Sequence, residues 1–87
     1  MANIKSAKKR ARQNEVRRVR NASMRSRMRT AIKRVRQAIE AGKKADAQTA
    51  LQGAYCALDS TVTKGVVHKN MAARNKSRLA AAVKAMA

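Results

Sequence analysis

The carboxylate, imidazole and thiol side chains on which acid–base, nucleophilic and metal sites most often depend are few in this sequence and stand far apart. They are four carboxylates (Glu15, Glu40, Asp46 and Asp59), one imidazole (His68) and one thiol (Cys56). A general acid with its partner, a Cys/His metal cage or a Ser-His-Asp set needs several such groups to converge. The inventory therefore argues against an enzyme, and neither a cofactor nor a metal site is expected. What the chain has in abundance is cationic: 22 Lys and Arg against 4 acids, a formal net charge of +18 on 87 residues. Positive charge at that density repels itself unless a polyanion answers it. An ordinary solvated helix face mixes both signs, whereas residues 1–36 hold 14 basic residues and Glu15 as their one acid.

The elements that must position these cations are helical. There is no Pro, there are 3 Gly, and Ala, Arg, Lys, Gln and Met are plentiful, all residues that lose little freedom on a helix. Gly42 and Gly65 suit left-handed helix ends, which predicts helices over 6–41, 45–63 and 67–86, with Ser6 as a good N-cap. Gly53 falls inside the second helix, which is read as continuous. At about 100° per residue, Met24, Met28, Ile32, Val35 and Ile39 form one apolar stripe on the first helix. Ala47, Leu51, Ala54, Leu58 and Val62 do the same on the second, and Met71, Leu79, Ala82, Val83 and Met86 on the third, where Asn75 interrupts the stripe. The 87 residues make a single domain, and 19 of its apolar residues are Ala, so the core is small.

Length then separates the first helix into two parts. At about 1.5 Å per residue it runs roughly 54 Å, against about 28–30 Å for the other two, so only its second half can be covered. Residues 5–23 are the half with little to bury: Lys5, Lys8, Lys9, Arg10, Arg12, Arg17, Arg18 and Arg20 point nearly all the way round the axis. The expectation is an all-α, antiparallel three-helix bundle with a long N-terminal helix projecting from it as a basic arm. Isolated helices are marginal and like charges three and four residues apart oppose helicity, so the arm is expected to be partly disordered on its own.

Charge by segment points to the partner. Residues 1–36 carry +13, residues 37–63 carry −1 and residues 64–87 carry +6, so the middle helix is electrostatically quiet. An anionic membrane is a poor match, because residues 5–23 contain no Trp, Phe or Leu and their cations encircle the axis. No run of about 18 apolar residues exists, and the N-terminus turns cationic where a signal peptide would be apolar. A lone Cys56 fits a reducing compartment, as a small buried apolar residue. A helix charged on all sides suits a crevice where phosphates approach from several directions, which folded RNA offers more readily than an isolated duplex. Without an aromatic platform, recognition should rest on phosphate, sugar and shape. Asn3, Ser6, Asn21, Ser23 and Ser26 are candidates to add hydrogen bonds to phosphate or 2′-OH. The charge alone would also permit a small basic nucleoid or DNA-architectural protein.

Two stretches carry a resemblance. Met1-Ala2-Asn3-Ile4-Lys5-Ser6-Ala7-Lys8-Lys9-Arg10 and the segment from Lys64 to Leu79, with its His68-Lys69-Asn70 start, closely resemble the ends of the family of bacterial small-subunit ribosomal proteins numbered twenty. Residues 21–30 are similar as well, and the likeness spans essentially the whole chain. The resemblance implies a three-helix bundle in the cytoplasm, monomeric within the ribosomal particle. It implies direct binding to 16S rRNA in the body of the small subunit and help in folding that RNA during assembly, with no membrane and no small-molecule substrate. By the same likeness the cations from Lys5 to Arg20 form the arm in the RNA, and Arg25, Arg27, Arg29 and Lys33 continue the contact past the bundle edge. Lys64, Lys69, Asn70, Arg74, Lys76 and Arg78 form a second surface at the start of the third helix, where free backbone N–H groups also favour phosphate. His68 is open between a donor to RNA and a cap or loop filler. Asn75 stands where family members commonly carry a basic residue.

Overall fold

A computed structural model describes residues 2–86, and the side chains of residues 4–86. It contains three helices, α1 (Ala2–Glu40), α2 (Lys44–Thr63) and α3 (Lys69–Lys84), and no strand among the described residues. The helices run down, up and down again in an antiparallel bundle, and α2 packs against both α1 and α3 while those two touch each other least.

Both helix ends marked by glycine close in the same way. Gly42 has φ 71°, its N–H donates to Ile39 O at 3.0 Å, and the Lys43 N–H donates to Ala38 O at 3.1 Å. At Gly65, also φ 71°, the Gly65 and Val66 N–H groups donate to Val62 O and Thr61 O, each at 2.9 Å. This paired closure satisfies carbonyls that a helix end leaves free, and it needs a left-handed residue that glycine supplies without a Cβ clash. Gly53, by contrast, sits in the exposed interior of a continuous α2, and a Cβ there would meet nothing within 4 Å.

The core is a seam of small layers. Met28, Ile32 and Val35 of α1 meet Ala47, Leu51, Ala54 and Leu58 of α2, with Ala72, Leu79 and Val83 closing from α3. Met24, Ile39, Val62, Met71, Ala82 and Met86 of the expected stripes are half-buried at its margins. Thr61 and Ala72, outside the expected stripes, are buried. The Thr61 hydroxyl donates to Leu58 O at 2.7 Å and lies 3.6 Å from Met28 Sδ, so its polar atom is satisfied within its own helix.

Several expectations are corrected. Ser6 is no N-cap: α1 starts four residues earlier, since nothing between Ala2 and Lys5 breaks a helix, and Ser6 is exposed inside it. Cys56 is exposed rather than buried, because it lies on the face of α2 opposite Ala54 and Leu58. α1 ends at Glu40 rather than 41, and α2 begins at Lys44 rather than 45. α3 starts at Lys69 rather than 67, because His68 caps it and Val67 packs against the core from the connection; it ends at Lys84, with Met86 folded back on the core. The Lys44 ammonium donates to Met86 O at 3.2 Å, tying the start of α2 to the far end of α3.

The 39 residues of α1 span about 58 Å at 1.5 Å each, roughly twice the length of α2, and the molecule extends 67 × 21 × 14 Å. The first half of α1 therefore stands free. Every side chain from Ile4 to Arg20 is exposed, and coverage begins at Asn21 and Met24. Helical hydrogen bonds with no tertiary cover open easily. In the free protein, amides of residues 5–20 are expected to exchange far faster than those of Val35, Leu58 and Leu79; equal protection measured along all of α1 would contradict this.

Candidate nucleic-acid interface

The arm presents its cations on all sides because a helix turns about 100° per residue and the basic residues recur at spacings of one, two, three and five. Lys5, Lys8, Lys9, Arg10, Arg12, Arg17, Arg18 and Arg20 are all exposed. Its larger apolar side chains are bare as well: Ile4 is 56 % exposed, Val16 64 % and Val19 56 %. Ser6, Ser23 and Ser26 are exposed and Asn21 is half-buried, while the side chain of Asn3 lies outside the described residues.

One internal pair moderates the charge. Arg18 donates from Nη2 to Glu15 Oε1 at 2.5 Å and from Nε to Oε2 at 3.1 Å. The Arg18 guanidinium holds the Glu15 carboxyl below the usual carboxylate range, and the carboxylate raises Arg18 in return. Both groups are exposed, so the pair contributes little to stability. That small contribution is present above the ordinary carboxylate pKa and is lost as pH falls through the depressed value.

Where α1 enters the bundle the cations sort into flanks around the buried stripe. Arg25, Arg27, Arg29 and Lys33 are exposed, as are Arg34 and Arg36, which are not among the expected contact residues. Between α1 and α3 runs a groove of about 510 Å³, with Arg29, Lys33 and Arg36 along the α1 side. Because α2 is short, the α2–α3 connection sits beside the point where α1 leaves the bundle: Thr61 touches Met28, and Val66 bonds back to Thr61 O at 2.9 Å. Lys64, His68, Lys69 and Asn70 are thus exposed near the root of the arm, and Arg74 and Arg78 are exposed farther along α3. The fold thus sets the α2–α3 connection and the first turn of α3, with Lys64, His68, Lys69 and Asn70, beside the root of the basic arm.

Lys76 differs from the others. Its ammonium pairs with Asp59 of α2 and lies 5.5 Å from the centre of the Tyr55 ring, and its side chain is only 33 % exposed. It clasps α3 to α2, so its charge is already answered within the fold. Asn75 is half-buried, and its Nδ2 donates to Met71 O at 3.0 Å.

His68 takes the cap role, in a way that leaves the other role open. Its Nδ1 accepts from the Asn70 N–H at 3.1 Å, and its carbonyl accepts from Met71 N and Ala72 N at 3.1 and 3.2 Å. Three amides of the first turn of α3 are therefore engaged by His68, contrary to the expectation that they are free for phosphate. With Nδ1 accepting, the ring of a neutral imidazole carries its hydrogen on Nε2, a donor on an exposed side chain.

Among the described residues no cluster of His, Cys, Asp or Glu could hold a metal ion, and no helix is long and apolar enough to cross a membrane. Fold and charge together define a class: small, all-helical, strongly basic proteins whose cations surround an uncovered helix. Within it, the sequence matches the family described as ribosomal protein S20 over residues 2–84, and the chain belongs to that family. It is 58% identical over 86 residues to the small ribosomal subunit protein bS20 of Thioalkalivibrio sulfidiphilus, covering 99% of this chain and 100% of the relative. It is 59% identical over 87 residues to the proteins of that name from Pseudoalteromonas atlantica and Dechloromonas aromatica, covering 100% of this chain and 100% and 98% of theirs.

Two outcomes follow from the local geometry. His68→Ala should destabilise the fold by about 1 kcal/mol, as loss of a helix cap does, while His68→Ser or His68→Asn recovers most of it in urea unfolding. In Arg18→Gln the Glu15 carboxyl, followed by NMR, should titrate at a higher pH than in the parent chain.

Proposed function

We propose that this chain is a structural constituent of the small ribosomal subunit that binds 16S rRNA directly and stabilises its fold during assembly. The observation that carries the reading is the arm: an exposed helix from Ile4 to Arg20, basic on every side, in a member of the ribosomal protein S20 family. Only a partner that surrounds the arm with phosphate answers such a distribution, and folded RNA provides crevices of that kind. The residues assigned to the contact are Lys5, Lys8, Lys9, Arg10, Arg12, Arg17, Arg18 and Arg20 of the arm. Arg25, Arg27, Arg29 and Lys33 extend it along the bundle, and Lys64, His68, Lys69, Asn70, Arg74 and Arg78 add the second segment. Lys76 contributes through its field and by holding α3 in place, given its pairing with Asp59. The protein acts as a monomer within the particle, in the cytoplasm.

The reading is tested by competition at physiological salt, with labelled protein on full-length 16S rRNA challenged by excess mixed duplex DNA and tRNA. Retention on 16S rRNA is expected; loss to either competitor overturns the reading, and loss to DNA favours a nucleoid protein. With roughly ten phosphates neutralised, affinity should fall by about three to five orders of magnitude between about 50 and 200 mM salt. Lys8→Gln should reduce the salt slope by roughly one.

A further inference from the structure

The groove between α1 and α3 combines surfaces that the arm lacks. Its floor is apolar: Met28 and Ile32, buried, and Met71, half-buried. Its α1 rim carries Arg29, Lys33 and Arg36, and none of the residues lining it is acidic. Its volume of about 510 Å³ falls in the range of small-molecule sites, about 300–1,000 Å³, and is too small for a duplex. Asn75 lines the same groove, and because its Nδ2 is committed to Met71 O, its Oδ1 is the atom left to accept a hydrogen bond.

We infer that this groove seats one unpaired nucleotide of the bound RNA, its base on the Met28, Ile32 and Met71 floor and its flanking phosphates on Arg29, Lys33 and Arg36. A base splayed out of a loop or bulge exposes an apolar aromatic face beside an anionic backbone, and the groove is complementary to both. Polarisable thioethers make favourable contacts with aromatic rings, so half-buried Met71, with buried Met28 lining the same floor, can do here what stacked aromatics do in other RNA-binding proteins. Every base has an N–H on its edge, so Asn75 Oδ1 can accept from any of them and the seat selects for an unpaired nucleotide rather than for one base. The floor is the edge of the bundle core, and the cationic α1 rim beside it gives the groove an apolar and an anion-binding surface side by side, the pairing that a nucleotide presents in reverse. The inference rests on the chain being an RNA-binding protein and adds to that reading a contact to a base.

The test uses the full chain with nitrogen-15 in its backbone and side-chain amides and labelled methionine methyl groups, titrated by NMR at low salt with each of the four nucleoside 5′-monophosphates. Ribose 5-phosphate, with the same sugar and phosphate but no base, is the control. Both kinds of probe are expected to shift rim signals near Arg29, Lys33 and Arg36, and only the nucleotides to shift the Met28 and Met71 methyls and the Asn75 side-chain amide. Ribose 5-phosphate reproducing every shift, or nucleotides leaving the methyls unmoved, overturns the seat. In 16S rRNA binding, Met71→Ala should weaken affinity roughly two- to tenfold with an unchanged salt slope, since the rim cations remain. Unchanged affinity in a variant whose helicity matches the parent also overturns it. Base-dependent shifts without retention on 16S rRNA would fault the ribosomal reading and leave the seat standing; retention without such shifts would do the reverse.

Discussion

The packing of α1 against α2, where Val35 and Leu58 are completely enclosed, decides how the rest of the molecule is disposed. The Gly42 closure turns the chain straight back on itself, so α2 can cover only the last 20 or so residues of α1. Of the described side chains, those N-terminal to Asn21 are left outside whatever their sequence. That stretch is mostly basic, polar or Ala, with Ile4, Val16 and Val19 as its bare apolar exceptions, and the same geometry delivers the α2–α3 connection, with Lys64 and His68, to the place where α1 emerges. A single helix–helix seam thus sets the arm, the second cationic segment and the open side of the groove.

Electrostatics and packing are divided among the helices. α2 supplies four of the ten buried apolar side chains among the described residues, more than either other helix, and has little net charge; its Asp59 and Tyr55 hold Lys76 against α2. α1 and α3 each bury one stripe and turn basic residues outward on either side of it. Neutralising ion pairs are few among the described residues, so the folded chain keeps nearly its whole formal charge on its surface. Such a surface attracts a polyanion over long range and opposes self-association.

Most of the architecture was legible in the sequence, because length and periodicity carry it. The three helices, their glycine ends, the α1 stripe and the projecting arm all follow from features that act locally or by simple geometry. The misreadings have physical causes. Residue type alone points Cys56 to the core, but the α2 register, read from Ala54 and Leu58, places it on the opposite face. Thr61 follows Leu58 by three residues and Ala72 precedes Leu79 by seven, so both sit on their stripes; the hydroxyl masks the first, and the larger neighbour Met71, which marks the same turn, masks the second. The Asp59–Lys76–Tyr55 clasp and the placing of Lys64 and His68 beside the root of the arm join residues distant in the chain, and only the tertiary fold reveals them. At His68 the cap and the RNA donor are not exclusive, since they use different ring nitrogens.

The position of the one tyrosine has a practical consequence. With no tryptophan in the chain, intrinsic ultraviolet emission comes from Tyr55 alone, and that ring sits beneath the Lys76 ammonium at the α2–α3 contact, with no cover shared with the arm. Its emission therefore reports whether the bundle is assembled and is blind to the state of residues 4–20. Circular dichroism sums both. Recorded together on one sample, the two signals separate the ordering of the arm from the folding of the bundle without any added label.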